Sequence, residues 1–324
     1  MSDEQSWSFP ESVQPKADQT QFDLERAFDA VVLVRAEIPE DAYSAATLGT
    51  ERGGYGAVIR EDGLVLTIGY LINEATQIWL TTNRGASVAG YPLAYDQATG
   101  FGLIQPLGKL AAPHLHRGLA ADVKVGDSAF VIGHGGRAHS LRTRIIAKHE
   151  FAGHWEYVLD EALFTAPAHP QWGGSALIGA EGKLLALGSL LVQEKVDGGI
   201  LQGNMLVPID LLEPILDEMQ RLGRSARPAR PWLGLYATEA GARLVVAGLA
   251  PGGPAEQAGV KVGDVLIDVG GDKPATLADL WRKIWKLGAP GVEVPLKLFR
   301  KDRAVSLRLR SADRNDFLKK PHLH

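Results

Sequence analysis

Short apolar runs broken by glycine-centred turns recur along most of the chain. Residues 31–34, 55–59, 64–71, 77–82, 88–94, 101–105, 128–132, 141–147, 157–164, 175–178 and 184–192 each predict a strand. Apolar and β-branched side chains in runs this short, bounded by turn residues, suit a pleated surface better than a helical face. Glu61-Asp62-Gly63 predicts a hairpin turn between two of the runs. Helical windows are few. Phe22, Leu24, Ala27, Phe28 and Val31 fit one face, and Leu211, Leu212, Ile215, Met219 and Leu222 another. Asp210 is placed to cap the second helix and Gly223 to end it, with Pro214 early enough to be tolerated or to bend it. Strands at this density with so few helices indicate a sandwich or barrels.

The pattern then changes. Residues 223–231 carry proline and arginine without an apolar period and predict a linker. Beyond it, residues 243–247, 265–269 and 292–299 predict strands, and Val305, Leu307 and Leu309 alternate with Ser306, Arg308 and Arg310 as on a half-buried final strand. Thr276-Leu277-Ala278-Asp279 opens a helix with Leu280, Trp281, Ile284 and Leu287 on its apolar face and Gly288 at its end. Residues 1–20 predict a mobile tail and 312–324 a frayed one. The organisation expected is therefore a tail (1–20), a large unit (21–222), a linker (223–231), a compact unit (232–311) and a tail (312–324).

Composition narrows the function. The chain has 324 residues, the length of about two domains. Glycine, at 37 residues, fits an all-β reading. Without cysteine there is no disulfide, thiolate metal site, iron–sulfur cluster or cysteine nucleophile. With 34 Lys and Arg against 38 Asp and Glu, the net charge is -4 and no basic block is present, so neither nucleic acid nor an anionic membrane is an expected partner. The first ten residues are acidic and lack an apolar signal core, so a cytoplasmic setting is expected from the sequence alone.

The order of motifs carries a resemblance. Tyr55-Gly56-Ala57-Val58-Ile59 with Asp62-Gly63-Leu64-Val65-Leu66-Thr67, then Val125-Gly126-Asp127 with Val131-Ile132-Gly133, then Met205-Leu206-Val207-Pro208-Ile209, resemble successive segments of the trypsin-like domain of the HtrA (Deg) protease family. Trp232-Leu233-Gly234-Leu235 resembles the carboxylate-binding loop of that family's PDZ domain. Gly253-Pro254-Ala255-Glu256-Gln257-Ala258-Gly259-Val260 followed by Gly263-Asp264-Val265-Leu266 resembles the PDZ signature. The resemblance runs from about Phe22 to Arg310 and implies a mainly β fold, a trypsin-like double β-barrel followed by a PDZ domain.

Such a protease needs a serine nucleophile, a histidine base and an aspartate that orients the histidine. Carried onto this sequence, the histidine position holds Tyr70, the aspartate position Gly100 and the serine position Gly173. The amides of Gln171 and Gly173 are candidates to shape an oxyanion pocket. Ser175, two residues further on, is the alternative nucleophile, with His134, His154 or His169 as a base; the plain alternative is a strand-initiating serine bonded to backbone or water.

Other motifs carry less. Gly133-His134-Gly135-Gly136 lacks the setting of a phosphate loop and reads as a barrel loop. His114 with His116, His149 with His154, and His322 with His324 lack further ligands, so no metal and no cofactor is expected. Trp281 and Trp285 share a helix and suit core packing.

The resemblance implies peptide binding along a sheet edge, with Trp232, Leu233, Gly234 and Leu235 as one wall and Leu277, Leu280, Trp281 and Ile284 as the other. The function expected is a catalytically inactive pseudoprotease that binds peptide or protein C-termini as scaffold or regulator. The alternative is a serine endopeptidase using Ser175. Family analogy adds a periplasmic setting, homotrimers or assembly with active relatives, with Trp7, Phe9 and Phe22 as candidates for the trimer contact.

Overall fold

The computed structural model describes residues 7–196 and 198–320; His322 and His324 lie outside them. The predicted apolar runs become β1 (Val31–Glu37), β2 (Glu51–Val58), β3 (Val65–Ile68), β4 (Gln77–Thr81), β5 (Ser87–Tyr95) and β6 (Phe101–Pro106). They form a closed barrel in the order β1-β2-β3-β6-β5-β4. A second set follows: β7 (Ser128–Ile132), β8 (Ser140–Gly153), β9 (Tyr157–Ala166), β10 (Ala176–Ile178), β11 (Leu184–Val196) and β12 (Gly199–Pro208). Its order is β10-β11-β12-β9-β8-β7, and β7 pairs with β10 to close it. Closure leaves no free edge, and the alternate residues that point inward make the cores. Val32, Val34, Val58, Val65, Ile78, Leu80 and Ile104 fill the first. Val131, Leu141, Ile145, Leu163, Leu177 and Leu206 fill the second.

Three elements of this unit differ from expectation. The strand expected over 64–71 ends at Ile68, and Gly69–Leu71 form a 3-10 turn instead. The helix expected after Asp210 is broken into a 3-10 turn, Ile209–Leu211, and a helix, Leu216–Leu222, because Pro214 between them has no amide to donate. Gly223, at φ 72°, ends the helix as expected. The Asp210 carboxylate instead accepts the amides of Ala120 and Ala121, at 2.9 and 2.7 Å. The described part of the expected N-terminal tail is also docked. Phe9 N–H donates to Ala138 O at 2.8 Å, and Arg142 N–H to Val13 O at 2.8 Å. Phe9 packs against the second core. Trp7 lies edge-on to His139, and Phe22 meets Phe130, so all three aromatics named for a trimer contact pack within their own chain.

The last sheet contains β13 (Leu235–Ala240), β14 (Arg243–Leu249), β15 (Val265–Val269), β16 (Glu293–Arg300) and β17 (Arg303–Arg310), in that order, so β13 is an edge. The helix Leu277–Lys286 packs on it, capped by Thr276 Oγ1 accepting Asp279 N–H at 3.1 Å. β13 escapes the apolar pattern because Thr238-Glu239-Ala240 faces solvent. The chain separates into two compact units. One holds the residues up to His149, Glu161–Ala226 and the stretch from Lys319; the other holds Glu150–Asp160 and Arg227–Leu318. The boundaries therefore depart from expectation: the tip of the β8–β9 hairpin belongs with the last sheet. Ala312, expected to fray, exchanges both backbone hydrogen bonds with Trp232. Among the described residues no helix is long and apolar enough to cross a membrane.

A buried polar cluster sets the turn that carries Tyr70. Glu74 accepts the amides of Tyr43 (2.9 Å), Ser44 (2.7 Å) and Lys319 (2.9 Å). Arg52 donates to Tyr70 O (2.8 Å), Asn73 O (3.1 Å) and Ser44 Oγ (2.8 Å). Removing one member strands the others without water. Glu74→Ala is expected to lower stability by about 3 kcal/mol, read as a drop in the urea midpoint; an unchanged midpoint would show the cluster to be dispensable.

Candidate functional site

The 3-10 turn Gly69–Leu71 follows β3 and presents Tyr70. Gly69 N–H donates to Gly100 O at 2.7 Å, so Gly100 sits beside this turn at the start of β6. The loop before β10 comes from the other direction: Tyr55 N–H donates to Gly173 O at 2.8 Å. A Cβ on Gly173 would lie 2.9 Å from the Tyr70 hydroxyl oxygen. The fold thus brings Tyr70 and Gly173 together and keeps Gly100 adjacent. The Tyr70 hydroxyl donates to Ser189 O at 2.9 Å, and burial raises its pKa well above that of a free phenol. Gly174, at φ 78°, is required next to them, because its Cβ would fall 1.9 Å from Tyr55 O.

Ser175 is fully buried, and its hydroxyl donates to Trp172 O at 2.9 Å. Among the described residues no imidazole bonds it. His169 is committed elsewhere: its Nδ1 accepts the Gln171 N–H at 3.1 Å, which leaves the proton on Nε2 to donate to His139 O at 2.9 Å. Burial is the main cause that lowers its pKa to about 4. The Gln171 amide, named for an oxyanion pocket, is therefore already engaged. His134 Nε2 is buried with no partner among the described residues, and burial lowers the pKa of His134 and His139. Trp7, Arg35, Tyr55, Tyr70, His134, His139, Gln171, Trp172 and Gly173 line a cleft of about 790 Å³.

No metal-like cluster of His, Asp and Glu occurs among the described residues. The rings of His114 and His116 meet edge to face at 5.1 Å on the wall of a broad 1400 Å³ depression. His149 pairs with Glu194 at 3.0 Å, while His154 lies in the second unit. Gly133-His134-Gly135-Gly136 leads from β7 into a 3-10 turn, a barrel loop.

In the second unit the residues of both expected groove walls are buried. Leu233, Leu235, Leu280, Trp281 and Ile284 are fully buried, Trp232 and Leu277 nearly so. Gly234, at φ 70°, makes the turn that turns the neighbouring amides toward one point. A side chain of the chain itself occupies that point. Glu156 accepts Leu233 N–H at 3.1 Å on each carboxylate oxygen and Leu235 N–H at 3.0 Å. Burial raises its pKa to about 7, against the lowering pull of the amides of Leu235, Leu233 and Gly234 and of Arg314. Sequence reading missed Glu156, since nothing in its neighbourhood marks a residue 77 positions away from its partner Leu233.

Comparison with known proteins matches two domains in sequence order. Residues 54–187 match the family model of the trypsin-like peptidase domain, and residues 223–310 that of the PDZ domain. A probable periplasmic serine endoprotease DegP-like of Halomonas elongata is 25% identical over 260 residues, 76% of this chain and 53% of that protein. The like-named protein of Pseudomonas putida is 26% identical over 272 residues, 78% and 54% respectively. The chain spans about half the length of these relatives. Among solved structures, the HtrA-type protease AlgW with decapeptide aligns at TM-score 0.52 and 18% identity, over 92% of this chain and 98% of that one. The serine endoprotease from Yersinia pestis aligns at 0.52 and 22%, over 93% and 99%. These two likenesses establish the fold.

His169 makes a pH prediction. Its pKa falls from 6.5 unfolded to about 4 folded, so between those values the unfolded chain binds more protons. The stability from its neutral burial is full above pH 6.5 and is lost as pH falls toward 4, about 3 kcal/mol in all. Urea midpoints are expected to drop over that window in the wild type and to drop less in His169→Gln. A slope unchanged by the substitution would remove His169 as the cause.

Proposed function

We propose that this homologue of the HtrA-type protease family, a trypsin-like peptidase domain joined to a PDZ domain, does not cleave by a serine triad and works by binding chain ends. Its place in the family rests on the two domain matches in this order. The observation that carries the reading is the Tyr70 hydroxyl, which occupies the space a side chain on Gly173 would enter. Serine-protease chemistry needs a hydroxyl, an imidazole within reach of it, and a carboxylate behind the imidazole. The positions that the resemblance assigns to them hold glycine, a half-buried phenol and glycine. A phenol whose pKa burial raises cannot act as a base near neutral pH. Nor does Ser175 rescue the reaction, since its proton is donated to a backbone carbonyl and Gln171 N–H points at His169.

Binding is the remaining use of both units. The Gly234 turn and the edge strand β13 provide amide donors for an extended chain and its terminal carboxylate. The 790 Å³ cleft of the barrel unit keeps an aromatic lining and would serve recognition without turnover.

Incubation with a fluorophosphonate, followed by intact mass, tests this. The wild type is expected to stay unlabelled beside a labelled active serine protease. Gly173→Ser is expected to stay unlabelled too, because the Tyr70 hydroxyl fills the space and the position assigned to the histidine holds this phenol. An adduct on Ser175, or proteolysis abolished by Ser175→Ala, would overturn the proposal.

A further inference from the structure

A sheet edge that accepts an extended chain must offer unpaired amides, and β13 is the edge strand of its sheet. Alternate residues of an edge point their amides the same way, here those of 233, 235 and 237. None is open. Leu233 and Leu235 donate to the Glu156 carboxylate, and Ala237 N–H donates to His154 O at 3.0 Å. The acceptor at 237 thus comes from the residue two before the carboxylate-bearing one. A bound chain end has the same order, with its terminal carboxylate in the loop and an upstream carbonyl on the strand.

The other wall is engaged as well. Trp281 Nε1–H donates to Gly153 O at 2.9 Å. Val158 is buried in one apolar cluster with Leu233, Leu235, Leu280 and Ile284. Arg282 on the same helix pairs with Glu150 and Asp160, one on each arm of the hairpin. At the tip, Glu156 holds φ 60°, a left-handed conformation that side chains seldom adopt. The backbone is thus bent in the way that delivers this carboxylate to the loop.

We infer that the hairpin Glu150–Asp160 is an internal ligand of the peptide groove, with Glu156 standing in for a terminal carboxylate, so that a partner's C-terminus binds only by displacing it. The inference rests on the reading of the second unit as a chain-end binder. The partner it fits is a free chain end carrying an apolar side chain, since the displaced set is a carboxylate with Val158. Displacement is feasible because burial disfavours the charged form of Glu156, whereas a hydrated hairpin would recover water around it. Occupancy of the groove by the hairpin multiplies the apparent affinity for any competitor by the fraction of open groove.

The test uses the full chain and fluorescein-labelled hexapeptides ending in Val, Leu, Ile or Phe, as free acids and as terminal amides, read by fluorescence anisotropy. Glu156→Ala is expected to bind at least one free acid about ten- to a hundredfold more tightly than the wild type, and no amide. Arg282→Ala, which touches only the exposed clamp, is expected to gain about two- to fivefold, and it decides the matter if Glu156→Ala does not fold. Equal free-acid affinity in the wild type and the variants would overturn the internal ligand and leave chain-end binding standing. No binding of any free acid by folded Glu156→Ala, confirmed by faster hydrogen exchange at Leu233 and Leu235, would overturn both.

Discussion

A backbone amide that leaves water without meeting an acceptor costs roughly 1–3 kcal/mol, and both units are organised around meeting that demand where strands end. Inside a strand the ladder supplies acceptors. Outside it, carboxylates from distant parts of the chain do so. Glu74 gathers the amides of Tyr43, Ser44 and Lys319, Asp210 those of Ala120 and Ala121, and Glu156 those of Leu233 and Leu235. Each holds a loop in place that no local turn residue would hold. Two of these loops are the one presenting Tyr70 and the one at 233–235.

The same demand explains what became of the barrel cleft. An oxyanion pocket works because its amides are left unsatisfied until charge develops on the substrate. Here the Gln171 amide already meets His169 Nδ1. That amide is therefore met by the chain's own imidazole. Trp7 and Phe9 lie edge-on to the His169 ring and keep it dry, which holds it neutral. A neutral ring with one donor and one acceptor in use is a structural bracket, not a base.

In the second unit the satisfied amides are those that the proposed binding of a chain end would use. A groove that presents donors to a carboxylate cannot distinguish, by hydrogen bonding alone, a terminal carboxylate from a glutamate side chain delivered at the same place. What separates them is covalent connection: an internal carboxylate carries the high effective concentration of an intramolecular partner, while a free chain end brings new apolar contacts. On the proposed reading, the arrangement sets a threshold for binding instead of abolishing it.

The alternation and punctuation of the chain determined a good deal. Most strands, the β2–β3 turn at Gly63, the Thr276 cap and the Gly223 stop are local matters of periodicity and backbone freedom and appear where the residues place them, whereas β13 and the turn at Gly69–Leu71 do not follow the pattern. Motif order carried the fold class, and the resemblance assigned the three triad positions to Tyr70, Gly100 and Gly173. Tertiary structure decided the rest. That Tyr70 lies against Gly173, that Gln171 N–H turns to His169, and that Glu156 sits in the loop at 233–235 are contacts between segments far apart in the chain. No periodicity records them, because a carboxylate on a hairpin looks like a solvated charge until folding brings unpaired amides to it.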